Sequence, residues 1–212
     1  MKNAVLYIHG KGGNAEEANH YRKFFNDQYE IIGFDYKSEF PWEVKSEFSQ
    51  FFDAIALQYH EVILIANSIG AYYSMVSLVD KAIRKAMFIS PIVDMEKIIL
   101  KQMACENISE EELYKEKTIE VSFGEPLSWK YLSYVRNDPI LWKIPTDILY
   151  AENDHITSFE IMTDFANKVD ANLTVMDKGE HWFHTAEQMA FLDDWFKQNW
   201  QKRRMHPERR YN

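Results

Sequence analysis

The chain has 212 residues, 46% hydrophobic and 27% charged, the composition of an ordinary globule with enough chain for one substantial core. Its formal net charge of −9 argues against non-specific binding to nucleic acid or anionic membrane. With one cysteine, Cys105, there is no intrachain disulfide and no cysteine-based metal site, and no apolar run approaches the roughly 20 residues of a transmembrane helix. Residues 4–8 are too short for a signal peptide, so a cytoplasmic location is the expectation.

Residues 4–8 form a short apolar run closed by His9-Gly10-Lys11-Gly12-Gly13-Asn14, which fits a buried parallel strand running into a turn. Residues 15–27 read as a helix, with Ala18, Tyr21, Phe24 and Phe25 at three- and four-residue spacing. A second strand is expected at 30–34. Pro41 suits the first turn of the next helix, whose apolar face is Trp42, Val44, Phe48, Phe51, Phe52 and Ile55. Residues 62–66 are a third strand, 69–79 a helix, and 86–89 a fourth strand.

Between Pro91 and Pro145 the alternation breaks and no convincing strand is found. Residues 94–104, 109–115 and 127–136 read as helices, the second opening on Ser109 ahead of Glu110, Glu111 and Glu112. About 50 residues is too long for a simple crossover, so 92–144 is expected to form a small helical cap over the strand ends. An excursion packed on one side is the alternative. A fifth strand (146–151), a helix (158–169), a sixth strand (172–176) and a closing helix (183–200) follow. Residues 202–212 are basic and polar and are expected to be a disordered tail after a single domain of residues 1–201. The whole predicts an α/β fold, a three-layer sandwich with a mostly parallel six-stranded sheet and helices on both faces.

The chemistry is concentrated at the strand ends. Ala66-Asn67-Ser68-Ile69-Gly70 stands between an all-apolar strand and a helix, the order of a nucleophile elbow, with alanine at the usual first glycine. A plain helix cap by Ser68 is the competing reading. The glycine loop after the first strand falls at the same sheet end, where a backbone N–H can join that of Ile69 as an oxyanion hole. The acid candidate is Asp154, after the fifth strand, with Glu152 and Asp94 as competitors. The base candidate is His181, after the sixth strand, with His184 as its competitor and His9 and His155 nearby. A right-handed βα unit brings the 154 and 181 loops together, outside the carboxyl ends of the strands where such sheets bind ligands. No metal-binding spacing is present, and no metal or cofactor is expected.

Four motifs together resemble the α/β-hydrolase superfamily along nearly the whole chain: His9-Gly10-Lys11-Gly12-Gly13-Asn14, Ala66-Asn67-Ser68-Ile69-Gly70, Asn153-Asp154-His155-Ile156-Thr157 and Gly179-Glu180-His181-Trp182-Phe183. The likeness is to compact bacterial serine hydrolases of the esterase, lipase and aminopeptidase type, without that fold's N-terminal hairpin. The resemblance implies Ser68 as nucleophile, His181 as base and Asp154 as the orienting acid, with an oxyanion hole from the backbone of Lys11 and Ile69. Lys11 is unusual at its place, and its side chain either favours an anionic substrate or points to water. Gly10, Gly12, Asn67, Trp129 and Trp182 are the expected substrate contacts. Apolar residues of the cap, among them Met103, Leu113, Phe123, Trp129, Leu132 and Trp142, either line an acyl pocket or pack the cap on the core. The expected substrate is a small or medium carboxylic ester or thioester. A peptide or amide is the alternative, and a non-catalytic small-ligand binding module is the alternative of another class.

Overall fold

In each central strand, successive side chains go to opposite faces of the sheet, and both faces are covered. Ala4, Leu6, Ile8, Leu64, Ala66, Phe88 and Ile148 belong to one buried cluster, and Val5, Tyr7, Ile63, Ile65, Met87, Ile89 and Leu149 to the other. Double burial explains why the strands read as continuous apolar runs rather than as alternation. The computed structural model describes residues 1–122 and 124–201, so the expected tail and Phe123 lie outside the described residues.

In chain order the elements are β1 (Asn3–Ile8), a 3-10 helix (Ala15–Phe24), β2 (Tyr29–Phe34), α1 (Pro41–Ala56), β3 (Val62–Asn67), α2 (Ser68–Ser77) and β4 (Ile83–Ile89). After these come α3 (Met95–Cys105), α4 (Glu110–Glu116), β5 (Thr118–Ile119), β6 (Leu127–Ser128), α5 (Trp129–Asn137), β7 (Thr146–Ala151), α6 (Phe159–Lys168), β8 (Asn172–Met176) and α7 (Ala186–Gln201). The main sheet has six strands in the order β2-β1-β3-β4-β7-β8, and every pairing in it is parallel. The chain steps outward from β1 to β2 and then back across β1 to β3. This reversal opens a crevice at the carboxyl ends of β1 and β3, the usual ligand position in open α/β sheets. Among the described residues no helix is long and apolar enough to cross a membrane.

Three elements differ from expectation. Residues 15–24 wind as a 3-10 helix instead of an α-helix. Ala18, Tyr21 and Phe24 recur every three residues, which is the period of that tighter winding. An Asn14–Glu17 capping box starts it. The closing helix begins at Ala186, not at 183, because Thr185 and Gln188 form a second capping box: each side chain takes the other's backbone N–H, both at 3.2 Å. The segment between β4 and β7 is not purely helical, since β5 and β6 pair antiparallel within it.

That segment packs as a block on the face covered by α1, α2 and α6. Met103, Leu113, Leu127, Leu132 and Trp142 are buried in the same cluster as Phe48, Tyr72 and Phe165. Arg136 ties its helices together, holding Glu110 bidentately at 2.7 and 2.8 Å and Glu96 at 2.6 Å. The 3-10 helix and α7 cover the opposite face, where Tyr21, Leu192, Trp195 and Phe196 are buried.

Candidate functional site

Ser68 is the first residue of α2, and its φ of 48° lies in the left-handed region, a strain of about 1–3 kcal/mol for a residue with a side chain. Tight packing around the turn holds it there. A Cβ at Gly70 would sit 2.3 Å from the His9 carbonyl oxygen, so only glycine lets α2 start against the end of β1. The Ser68 carbonyl also accepts from the Ile92 N–H at 3.2 Å. Strand β3 and helix α2 thus present the Ser68 hydroxyl at the crevice.

Ser68 Oγ lies 2.9 Å from His181 Nε2, and His181 Nδ1 lies 2.6 Å from Asp154 Oδ2. The Asp154 side chain is fully buried and that of His181 is 10% exposed. Asp154 is held through its other oxygen, which accepts the backbone N–H groups of Ile156 and Thr157 at 2.8 and 3.1 Å. An ionised carboxylate can only accept, so His181 Nδ1 carries a proton toward it and Nε2 is left to accept from Ser68. The arrangement can therefore move a proton off the serine hydroxyl.

The competitors are engaged elsewhere. Glu152 accepts the backbone N–H of Lys178 at 2.8 Å, and Asp94 caps α3 by accepting that of Lys97 at 3.0 Å. His184 donates from Nδ1 to the Trp182 carbonyl at 2.7 Å and stacks on the Trp182 ring. His155 has its ring 6.4 Å from that of His181, and His9 is stacked on Tyr36 with Nδ1 donating to the Gly10 carbonyl.

The glycine loop closes on the serine. A Cβ on Gly10 would touch the Ser68 Cβ at 3.3 Å, and Gly12 turns the loop with φ 75°. The N–H of Ile69 belongs to the first turn of α2, where helical backbone donors have no intrahelical partner. Among the described residues no group of three or more His, Cys, Asp and Glu is placed to hold a metal ion.

No protein-family model matches the chain, and no curated protein matches it in sequence. Solved structures do. Est1E from Butyrivibrio proteoclasticus superposes with a TM-score of 0.77 at 13% identity, over 97% of this chain and 89% of that one. The same protein with ferulic acid bound gives 0.73 at 11% identity, over 96% and 90%. Alpha/beta hydrolase domain-containing protein 10 from mouse gives 0.74 at 12% identity, over 94% and 90%. This is the α/β-hydrolase fold. At such identities the likeness is one of fold, and the side chains must speak for the chemistry.

Within this fold a cavity of about 560 Å³ opens beside Ser68 and His181. Gly10, Gly12, Asn67 and Trp182 line it, as does Lys11. Trp182 is 74% exposed at its mouth. One expectation is corrected. Trp129 is not in the cavity wall; it packs edge-on against Tyr114 in the insertion, and no described residue of 92–144 lines the cavity. The cavity runs instead toward the 3-10 helix and α7, lined by Tyr7, Glu17, His20, Tyr21, Met189 and Leu192. The Lys11 side chain is 64% exposed to solvent, where its ammonium pairs with Glu125 of the insertion. Sequence reasoning missed Tyr7, Glu17 and His20. The Asn14-x-x-Glu17 capping signature was available to place Glu17 one turn beyond the glycine loop.

Proposed function

We propose that the chain is a serine hydrolase that cleaves a small or medium carboxylic ester through an acyl-enzyme on Ser68. The observation that carries the reading is the continuous relay from Ser68 Oγ through His181 to the buried, doubly anchored Asp154. Ser68 Oγ attacks the ester carbonyl while His181 Nε2 takes its proton. Asp154 keeps the imidazole in the productive tautomer and stabilises the imidazolium. The backbone N–H groups of Lys11 and Ile69 receive the oxyanion. His181 then hands its proton to the departing alkoxide, and the alcohol leaves. Water, deprotonated by His181, attacks the acyl-enzyme and releases the acid and Ser68. A thioester follows the same path with a thiol as leaving group. No step calls for a metal or cofactor. The carboxylic acid bound to the similar Butyrivibrio protein supports a carboxyl-type substrate.

Labelling with a fluorophosphonate probe, followed by peptide mass spectrometry, tests this reading. Adduct is expected on the Ser68 peptide alone and not in Ser68→Ala. A folded protein that neither labels nor turns over p-nitrophenyl acetate overturns the proposal and leaves a ligand-binding module. Asp154→Asn should lower kcat by about 10⁴, because the imidazole then adopts the wrong tautomer. His184→Ala should retain most of the activity.

A further inference from the structure

The cavity wall beside Ser68 has an unusual balance of hydrogen-bonding groups. Tyr7 Oη donates to Glu17 Oε2 at 2.5 Å and accepts from Asn67 Nδ2 at 2.8 Å. Burial, with the charge of Glu17 among the further causes, pushes the Tyr7 phenol far up, so it stays protonated. Its single proton goes to the carboxylate, which can only accept. The Asn67 amide must therefore turn its NH2 toward Tyr7, and this leaves Asn67 Oδ1 as a buried acceptor with no partner among the described residues. Glu17 takes only neutral donors, the Tyr7 hydroxyl and the Asn14 N–H at 3.3 Å. Among the described residues no cation lies within ion-pairing distance of it.

Apart from the Tyr21 phenol, which burial keeps protonated and therefore a donor, the other charged or titratable groups on this cavity have partners. Lys11 pairs with Glu125, and His20 lies 2.8 Å from Asp193 Oδ1. His184 uses Nδ1 on the Trp182 carbonyl and has Glu180 4.0 Å away. Beside Ser68 this wall thus presents one anion, Glu17, with no cation on it among the described residues; the Tyr7 proton is spent on that carboxylate, and Asn67 Oδ1 is shut off from solvent.

We propose that this wall is a subsite for a protonated amine on the substrate, received by Glu17, so that the preferred ester carries an ammonium group close to its scissile carbonyl. The closeness follows from the chain: Asn67 immediately precedes Ser68, and Glu17 and Asn67 touch the same phenol oxygen. The inference deepens the serine hydrolase reading and rests on it for the position of the carbonyl. It is compatible with ester or amide as the bond cleaved, since the ammonium is recognised apart from the leaving group.

Three methyl esters of nearly equal shape separate the possibilities: those of alanine, lactic acid and isobutyric acid, which carry ammonium, hydroxyl and methyl at one position. Hydrolysis is followed by pH-stat at a pH where the amine is charged, and each kcat/KM is divided by that ester's own rate with hydroxide. The alanine ester should exceed the isobutyrate ester by about tenfold in the wild type, and Glu17→Gln should bring the two within about twofold, as expected for loss of one charge-assisted hydrogen bond. Equal rates for the three esters in the wild type, a preference for lactate, or an ammonium preference that survives in Glu17→Gln would each overturn the proposal. A second readout needs no turnover. Isopropylammonium chloride should raise the Tm of Ser68→Ala protein, and isopropanol at the same concentration should not. If no ester is cleaved and Ser68 does not label, the hydrolase reading fails, and the Tm shift alone decides the amine subsite.

Discussion

The two faces of the sheet are built from the same alternating strands and put to different uses. On the face of α1, α2, α6 and the insertion, large side chains close the space completely: Phe48, Phe52, Phe88 and Leu132 are each 1% exposed or less. On the face of the 3-10 helix and α7, the packing stops short at the carboxyl ends of β1 and β3, and the 560 Å³ cavity remains. A 3-10 helix contributes to this. Its side chains eclipse every third residue, so it presents a narrow ridge of Ala18, Tyr21 and Phe24 and leaves Glu17 and His20 beside the opening. One face is therefore solid core, and the other holds the cavity that the proposed function uses.

Substitutions can break that contrast, and the largest effect is expected on the solid face. Trp142→Ala removes a buried ring that packs on Phe88 and donates to Thr146 Oγ1 at 2.7 Å. It should cost about 3–5 kcal/mol in denaturant unfolding and leave the relative rates on different esters unchanged. A shift in substrate preference would show that the insertion face reaches the site. A smaller effect, of opposite kind, is expected across the sheet. Met189→Trp, filling the cavity from α7, should lower kcat/KM for larger esters by about tenfold at little cost in stability, roughly the weight of a lost side-chain-sized contact. Trp129→Ala should leave that preference where it is.

The smallest effect concerns what frames the cavity. Asp193 on α7 binds His20 and Lys23 of the 3-10 helix, both within hydrogen-bonding distance. Partial burial alone would raise its carboxyl pKa, but those two partners outweigh it and hold the group below the ordinary value. A depressed carboxyl pKa contributes stability that is present at neutral pH and lost as pH falls through the folded-state value. Asp193→Asn should therefore cost less than about 1 kcal/mol at pH 7, with the difference from wild type shrinking as the carboxyl protonates. A difference that persists undiminished in acid would assign the loss to packing.

The elements nearest the backbone's own logic were the most legible. Strands buried on both faces announce themselves as unbroken apolar runs, and a parallel sheet sends every βα loop to one end. Ser68, Asp154 and His181 could thus be grouped before any coordinates. The cavity could not. Which face an insertion covers depends on how its helices pair, and Trp129 and Leu132 look the same in sequence whether they line a pocket or fill a core. The 3-10 winding was hidden because a spacing of three satisfies both helix types over a single turn. The start of α7 was readable in Thr185-Ala186-Glu187-Gln188, but the aromatic run Trp182-Phe183 drew the boundary too early.

The insertion touches the rim of the site at two points. Lys101 Nζ donates to the His155 carbonyl at 2.7 Å, in the loop that carries Asp154, and Glu125 holds Lys11 in the glycine loop. It works as a buttress, touching from outside the loop that carries Asp154 and the glycine loop. Its helices and the lining of the cavity are separate tenants of one frame. On the proposed function, substrate range can drift through changes in the 3-10 helix and α7 while the buttress keeps Ser68, His181 and Asp154 in register.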